Sequence, residues 1–255
     1  MPLEALLQSI LTELDDENTI GFGLTGSHAR GDAQPYSDID VWRFVRVMPD
    51  DPHAGYTLRQ YGDNLVSLTT STIDSQREKM ARPENALSTV PGLRQMRILL
   101  DKTGELAALA QEAHDFRWEM VQEAANIFAS HDLLGNAEEA YKVMSGLRQS
   151  DDHLILFWLP WLVVGLTRAL AVQRGILVES ENNYYRQVQR AVGLDSEWTQ
   201  LHRLAMGLVV ASPDARGRAG LRLYRETATL LDAIILPEHR PVIEQTLRLL
   251  ARYTE

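Results

Sequence analysis

The residues of this sequence best suited to chemistry are two aspartates spaced two apart and a glycine–serine pair ahead of them. The stretch reads GSHARGDAQPYSDID, from Gly26 and Ser27 to Ser37, Asp38, Ile39 and Asp40, with ten residues between Ser27 and Asp38. Side chains on a strand alternate faces, so Asp38 and Asp40 point the same way. Two like charges held side by side are costly in a fold unless a cation lies between them. Oxygen-only ligands suit Mg²⁺, which keeps several waters and completes its shell with substrate phosphates. The Gly26–Ser27 turn offers backbone N–H groups, a hydroxyl and room for close approach, which is what a triphosphate needs. Together these features imply a metal–nucleotide site.

The surrounding pattern supplies elements to position them. Residues 1–16 place Leu3, Leu6, Leu7, Ile10, Leu11 and Leu14 at helical spacing. A strand follows over Ile20–Thr25, then a polar crossover with a short helix ending near Ala33, then a strand over Ile39–Val47 that carries the aspartates. Residues 48–55 (MPDDPHAG) are turn material, and Tyr56–Tyr61 and Leu65–Thr70 flank Gly62-Asp63-Asn64 as a hairpin. A helix is expected over Ile73–Ala81, broken at 82–85, with a last strand and turn at 97–104 and a helix over Glu105–His114. Beyond about Phe116 the composition turns to Leu, Ala and Arg, and helical periods fill 116–133, 137–149, 153–174, 183–193, 196–210, 217–235 and 239–253. The expected class is α+β: a sheet domain over 1–113, then an all-α helical bundle over 114–255.

Bulk properties narrow the setting. The 255 residues bury a core readily, and 45% apolar with 24% charged residues is ordinary for a globular protein. A net charge of −10 argues against wholesale nucleic-acid binding and suits a small cationic substrate better. With no cysteine there is no disulfide, thiolate metal site or thiol switch. The acidic start is unlike a signal peptide. The apolar run Leu154–Leu166 falls short of a membrane span, with Pro160 and Arg168 interrupting its extension, and reads as a buried bundle helix. No membrane is expected, and the cytoplasm is the default location.

The motif, in the spelling G-S-x-A-R-G-x-A-x-x-x-S-D-I-D, resembles that of the nucleotidyltransferase superfamily built on the DNA polymerase β-like palm. The likeness covers roughly residues 18–72. It implies that Asp38 and Asp40 are catalytic and bind one or two Mg²⁺, and that Gly26 and Ser27 cradle the triphosphate. Ser37 joins them as a nucleotide contact, Arg30 reaches the outer phosphates, and Lys142 points a cation at the triphosphate from the bundle. The reaction implied is transfer of a nucleoside monophosphate from an NTP, with ATP expected, to an acceptor hydroxyl.

One position departs from the pattern. Members of the superfamily carry a third carboxylate on the later strand, where this sequence has Ser67. Asp63 shares its parity but lies about 13 Å along the strand. Three explanations stay open: a base from the helical domain, Glu119 or Glu123; two aspartates with one well-held Mg²⁺; or a palm that keeps nucleotide binding and has lost turnover. The layout, with ILLDKTGEL (98–106) before the bundle and TLRLLARYTE (246–255) at the close, resembles the lincosamide and aminoglycoside nucleotidyltransferases. The small-molecule acceptor implied is of that kind, with modification of a protein partner or a nucleotide-binding module as alternatives.

Overall fold

The computed structural model describes residues 2–254. Met1 and Glu255, the outer limits of the two expected domains, lie outside the described residues. The chain divides into two compact units, Met1–Arg117 and Trp118–Glu255.

The first unit is built on a five-stranded mixed sheet. Helix α1 (Leu3–Leu14) precedes β1 (Thr19–Thr25), and the short α2 (Gly26–Arg30) leads to β2 (Ile39–Val45). The hairpin β3 (Tyr56–Tyr61) and β4 (Asn64–Ser71) is followed by α3 (Ile73–Met80), α4 (Pro83–Gln95), β5 (Arg97–Asp101) and α5 (Glu105–Asp115). Strand order is β3-β4-β2-β1-β5. Only β2 and β4 run parallel, with Asp40 opposite Ser67 in their register.

Alternation decides which side chains form the core. Ile39 and Val41 of β2, Phe22 and Leu24 of β1, and Val66 and Leu68 of β4 join Leu6, Leu7, Ile10 and Leu11 of α1 in one buried cluster. Burying a side chain of this size stabilises by about 1.5–3 kcal/mol. The other parity of β2, Asp40 and Trp42, therefore faces away from α1. Trp42 packs there near Gly92 of α4.

The sequence reading stopped at the 82–85 breaker, yet Pro83 starts α4 rather than preventing it. A proline at the first helical position gives up an N–H that has no partner anyway. The guanidinium of Arg94 donates to the carbonyls of Ala113 and Phe116, at 2.8 and 3.0 Å, tying α4 to the end of α5. Helix α5 thus stays with the sheet past residue 113.

The second unit is helical: α6 (Gln122–Gln149), α7 (Asp152–Gln173), α8 (Tyr184–Val192), α9 (Glu197–Ala205), α10 (Pro213–Leu231) and α11 (Arg240–Thr254). Gly135 and Asn136, expected to break a helix, lie within α6. Asn136 is buried and donates to the Asp132 carbonyl at 2.7 Å, so its amide is satisfied inside the helix. Helix α9 ends at Ala205, short of the 210 expected.

Helix α7 runs unbroken through Pro160 for 22 residues, capped by the Asp151 carboxylate accepting from Leu154 N at 3.1 Å. Among the described residues it is the one helix long and apolar enough to cross a membrane, and 56% of that apolar window is buried inside the protein. The helix is continuous over the period expected for 153–174, with Pro160 on its exposed side. Trp198 is buried and donates to Thr227 Oγ1 at 2.9 Å, whereas Trp161 is 60% exposed.

Candidate active site

Strand β1 is buried along its whole length and ends at Thr25, which pairs with Asp40 on β2. The chain then turns through Gly26, at φ +66°, into α2. A methyl group at Gly26 would sit 2.0 Å from Oδ2 of Asp40. Only glycine fits both the left-handed backbone and the carboxylate lying against it. On the other side, Ser67 Oγ donates to Oδ1 of Asp40 at 2.7 Å. The Asp40 carboxylate is thus held between the glycine turn and β4.

Asp38 stands one residue ahead of β2, half-buried, with the same parity as Asp40. The structure brings Gly26, Ser27, Asp38 and Asp40 together at the end of β1 and the start of β2. All four offer oxygen or backbone amide groups, and both charged ligands are hard carboxylates. This donor set fits a divalent cation that takes the rest of its shell from water and phosphate. Among the described residues no group of three or more His, Cys, Asp or Glu gathers to hold a metal. Ser67 occupies the place on β4 where a third carboxylate would stand beside Asp40.

The remaining expected residues are placed variously. Arg30, at the end of α2, is engaged by Asp32 at 3.2 Å and by the Gln95 side chain at 3.5 Å. It lies on the unit that carries the aspartates, and its ion pair must open for it to take a phosphate. Ser37 uses its hydroxyl within its own loop, where Oγ accepts from Gln34 N at 2.9 Å. Glu119 lies in a one-turn 3₁₀ segment, Trp118–Met120, and not in the first turn of a long helix; its side chain is exposed. The helix begins later, at Gln122, so Glu119 and Glu123 are not one α-turn apart on a shared face. Lys142 is paired with Glu138 at 2.6 Å and lies over the Trp158 ring at 3.6 Å. Glu119 and Lys142 belong to the second unit.

Sequence reasoning missed the loop between α2 and β2 as a built feature. Gln34-Pro35-Tyr36-Ser37 forms a turn closed by Ser37 N donating to the Gln34 carbonyl at 2.9 Å. Its signal was Pro35 at the second turn position.

A five-stranded mixed sheet with a glycine turn beside an Asp-x-Asp strand is the arrangement expected of a nucleotidyltransferase domain. Residues 7–88 match the family model for the nucleotidyltransferase domain, and this part of the chain is a domain of that superfamily. The chain also shares its fold with a nucleotidyltransferase-like protein from Exiguobacterium sibiricum 255-15. That likeness has a TM-score of 0.55 at 13% identity, covering 92% of this chain and 77% of the other. No curated protein matches the sequence. Domains of this family generally use a nucleoside triphosphate and a divalent metal, which supports transfer of a nucleoside monophosphate as the general reaction class.

Proposed function

We propose that the protein is a Mg²⁺-dependent nucleotidyltransferase that moves AMP from ATP to a hydroxyl of a small acceptor, of the aminoglycoside or lincosamide kind. The observation that carries this reading is Asp40 held against Gly26, 2.0 Å from where a side chain would begin. That contact supports the reading, because it holds a carboxylate directly beside a glycine turn. Asp38 and Asp40 hold Mg²⁺, Gly26 and Ser27 present backbone groups and a hydroxyl to the triphosphate, and Arg30 adds its guanidinium to the outer phosphates. Ser37 orders the loop between them. Bound Mg²⁺ neutralises charge building on the phosphoryl oxygens, and the rest of the work is positioning.

Glu119 is the proposed base for the acceptor hydroxyl, and Lys142 the proposed cation from the helical unit. Loss of a base costs about 10²–10⁴-fold in rate, which sets the expectation for Glu119→Gln. The net charge of −10 suits a polycationic acceptor and not a nucleic acid, and the protein is placed in the cytoplasm.

The test is transfer of label from α-³²P-ATP to a panel of aminoglycosides and lincosamides, with Asp38→Ala and Asp40→Ala alongside. Transfer lost in both variants supports the reading. Transfer that survives both, or is absent from the intact protein across the panel, refutes it.

A second reading, a nucleotide-binding module without turnover, is favoured by one observation, the hydroxyl of Ser67 beside Asp40 in place of a carboxylate. Calorimetric binding of Mg-ATP with no transfer to any acceptor distinguishes it from the first.

A further inference from the structure

The apex of the loop joining the phosphate turn to the aspartate strand is Tyr36. Three observations set it apart. Its relative exposure is 106%, so nothing in the protein covers its ring. Its backbone lies at φ +72°, the left-handed region, where among the described residues only Ser150 is another non-glycine. The turn is pinned on both sides, by Ser37 N to the Gln34 carbonyl and by Gln34 N to Ser37 Oγ, each at 2.9 Å.

A turn with proline second and a positive φ third ordinarily takes glycine or asparagine in the third place. A bulky aromatic there costs stability and gains no packing in return. Such local strain is retained where it serves a site. The segment between Ser27 and Asp38, the short α2 and then this loop, has residues of the candidate nucleotide site at both of its ends. Tyr36 is two residues from Asp38, which keeps their Cα atoms within about 7 Å. A partner suited to this ring is flat, apolar on its face, and attached to something that the residues at the ends of this segment hold. The base of the nucleotide meets all three conditions, whereas an acceptor is tethered to neither loop end.

We propose that Tyr36 is a stacking surface for the nucleobase, and that the site reads the base through its face rather than its edge. This rests on the nucleotidyl-transfer reading above. Every base has a π-face, so stacking tolerates base identity. The site then accepts all four NTPs and prefers the larger purines.

The experiment is calorimetric titration of the full chain with Mg²⁺ and, in turn, ATP, GTP, CTP, UTP and inorganic tripolyphosphate, for the intact protein, Tyr36→Gly and Tyr36→Phe. Glycine suits the turn, so Tyr36→Gly is expected to melt higher than the intact protein, which removes misfolding as an explanation. It is expected to weaken ATP and GTP binding about five- to a hundredfold, to weaken CTP and UTP less, and to leave tripolyphosphate affinity unchanged. Tyr36→Phe is expected to bind ATP as the intact protein does. Unchanged ATP affinity in Tyr36→Gly overturns the proposal while leaving nucleotide binding standing. Equal losses for ATP and tripolyphosphate also overturn it, because the tyrosine would then act on the phosphates. An intact protein that binds neither ligand overturns the nucleotide reading itself, and the proposal with it.

Discussion

Gly26→Ala tests the geometry of the site most directly. The new methyl group would sit 2.0 Å from Asp40 Oδ2 and 2.9 Å from its Cγ, on a backbone at φ +66°. The left-handed conformation alone costs a residue with a Cβ about 1–2 kcal/mol. The contact with Oδ2 is over an ångström too close, and the carboxylate must swing away. Its 2.7 Å bond from Ser67 then breaks, and a hydrogen bond to a charged group contributes about 1.5–3 kcal/mol. The expected loss is therefore about 2.5–5 kcal/mol, large for a domain whose whole stability is on the order of 5–15 kcal/mol.

Urea unfolding of the four proteins in a Gly26→Ala, Asp40→Ala cycle separates the two terms. In the Asp40→Ala background the alanine meets no carboxylate, so only the backbone cost of about 1–2 kcal/mol should remain. A Gly26→Ala cost that is the same in both backgrounds refutes the contact as its cause. A total cost below about 1 kcal/mol refutes the positive-φ argument as well.

Other perturbations have equally definite outcomes. Ser67→Asp places a second carboxylate directly beside Asp40, so the variant should melt lower than the intact protein without metal. It should gain more on Mg²⁺ addition, and a melting temperature indifferent to Mg²⁺ counts against a cation between these strands. His202 is fully buried, stacked on Trp198, and burial pushes its imidazole down to about 4 from an ordinary 6.5. The unfolded chain then binds the extra proton, so stability is complete above pH 6.5 and falls as the pH drops toward 4. The loss is about 3 kcal/mol, and His202→Phe should flatten that slope in denaturant titrations across the range. Gly175→Ala, at φ +62° with its methyl 2.4 Å from Trp118 Cγ, should lower stability by about 2–4 kcal/mol in the same assay. A loss of only about 1–2 kcal/mol there shows that the Trp118 ring can yield, and a neutral result refutes the positive-φ cost as well.

What the sequence disclosed depended on how local the cause was. That the Gly26–Ser27 turn ends β1 and Asp40 stands on the next strand was legible because a glycine turn between two apolar strands is a local pattern. The sheet was legible because α1 and the strands carry clean periods of 3.6 and 2. Helix α4 was missed because the run Arg82-Pro83-Glu84-Asn85 looked like a break, although proline is well suited to a helix start. Glycine costs a helix interior about 1 kcal/mol relative to alanine, which suggested an end at Gly135-Asn136. Burial of Ala129, Leu133, Ala137 and Ala140 on either side outweighs that cost and carries α6 through. That Ser67 touches Asp40 could be read only once the sheet order set β4 beside β2. Ser37 gave no sign that its hydroxyl closes its own loop.

The edge hairpin carries a consequence for anyone who would re-engineer this protein. Strand β3 holds no residue of the site, yet its pairing with β4 sets Leu58 opposite Ser67, and the parallel pairing of β4 with β2 sets Ser67 opposite Asp40. The hairpin turns at Gly62, at φ +59°, with Gln60 Nε2 donating to the Gly62 carbonyl at 2.7 Å. It works as a gauge block, a part that does no cutting but sets where the cutting edge stands. A slip of β4 by one residue would turn Ser67 into the core beneath α1 and bring Val66 or Leu68 up beside the aspartate. The register beside Asp40 thus depends on a turn remote in sequence from the aspartates. Insertions between Tyr61 and Asn64 that shift β4 would change what stands beside Asp40 without altering Asp40 itself.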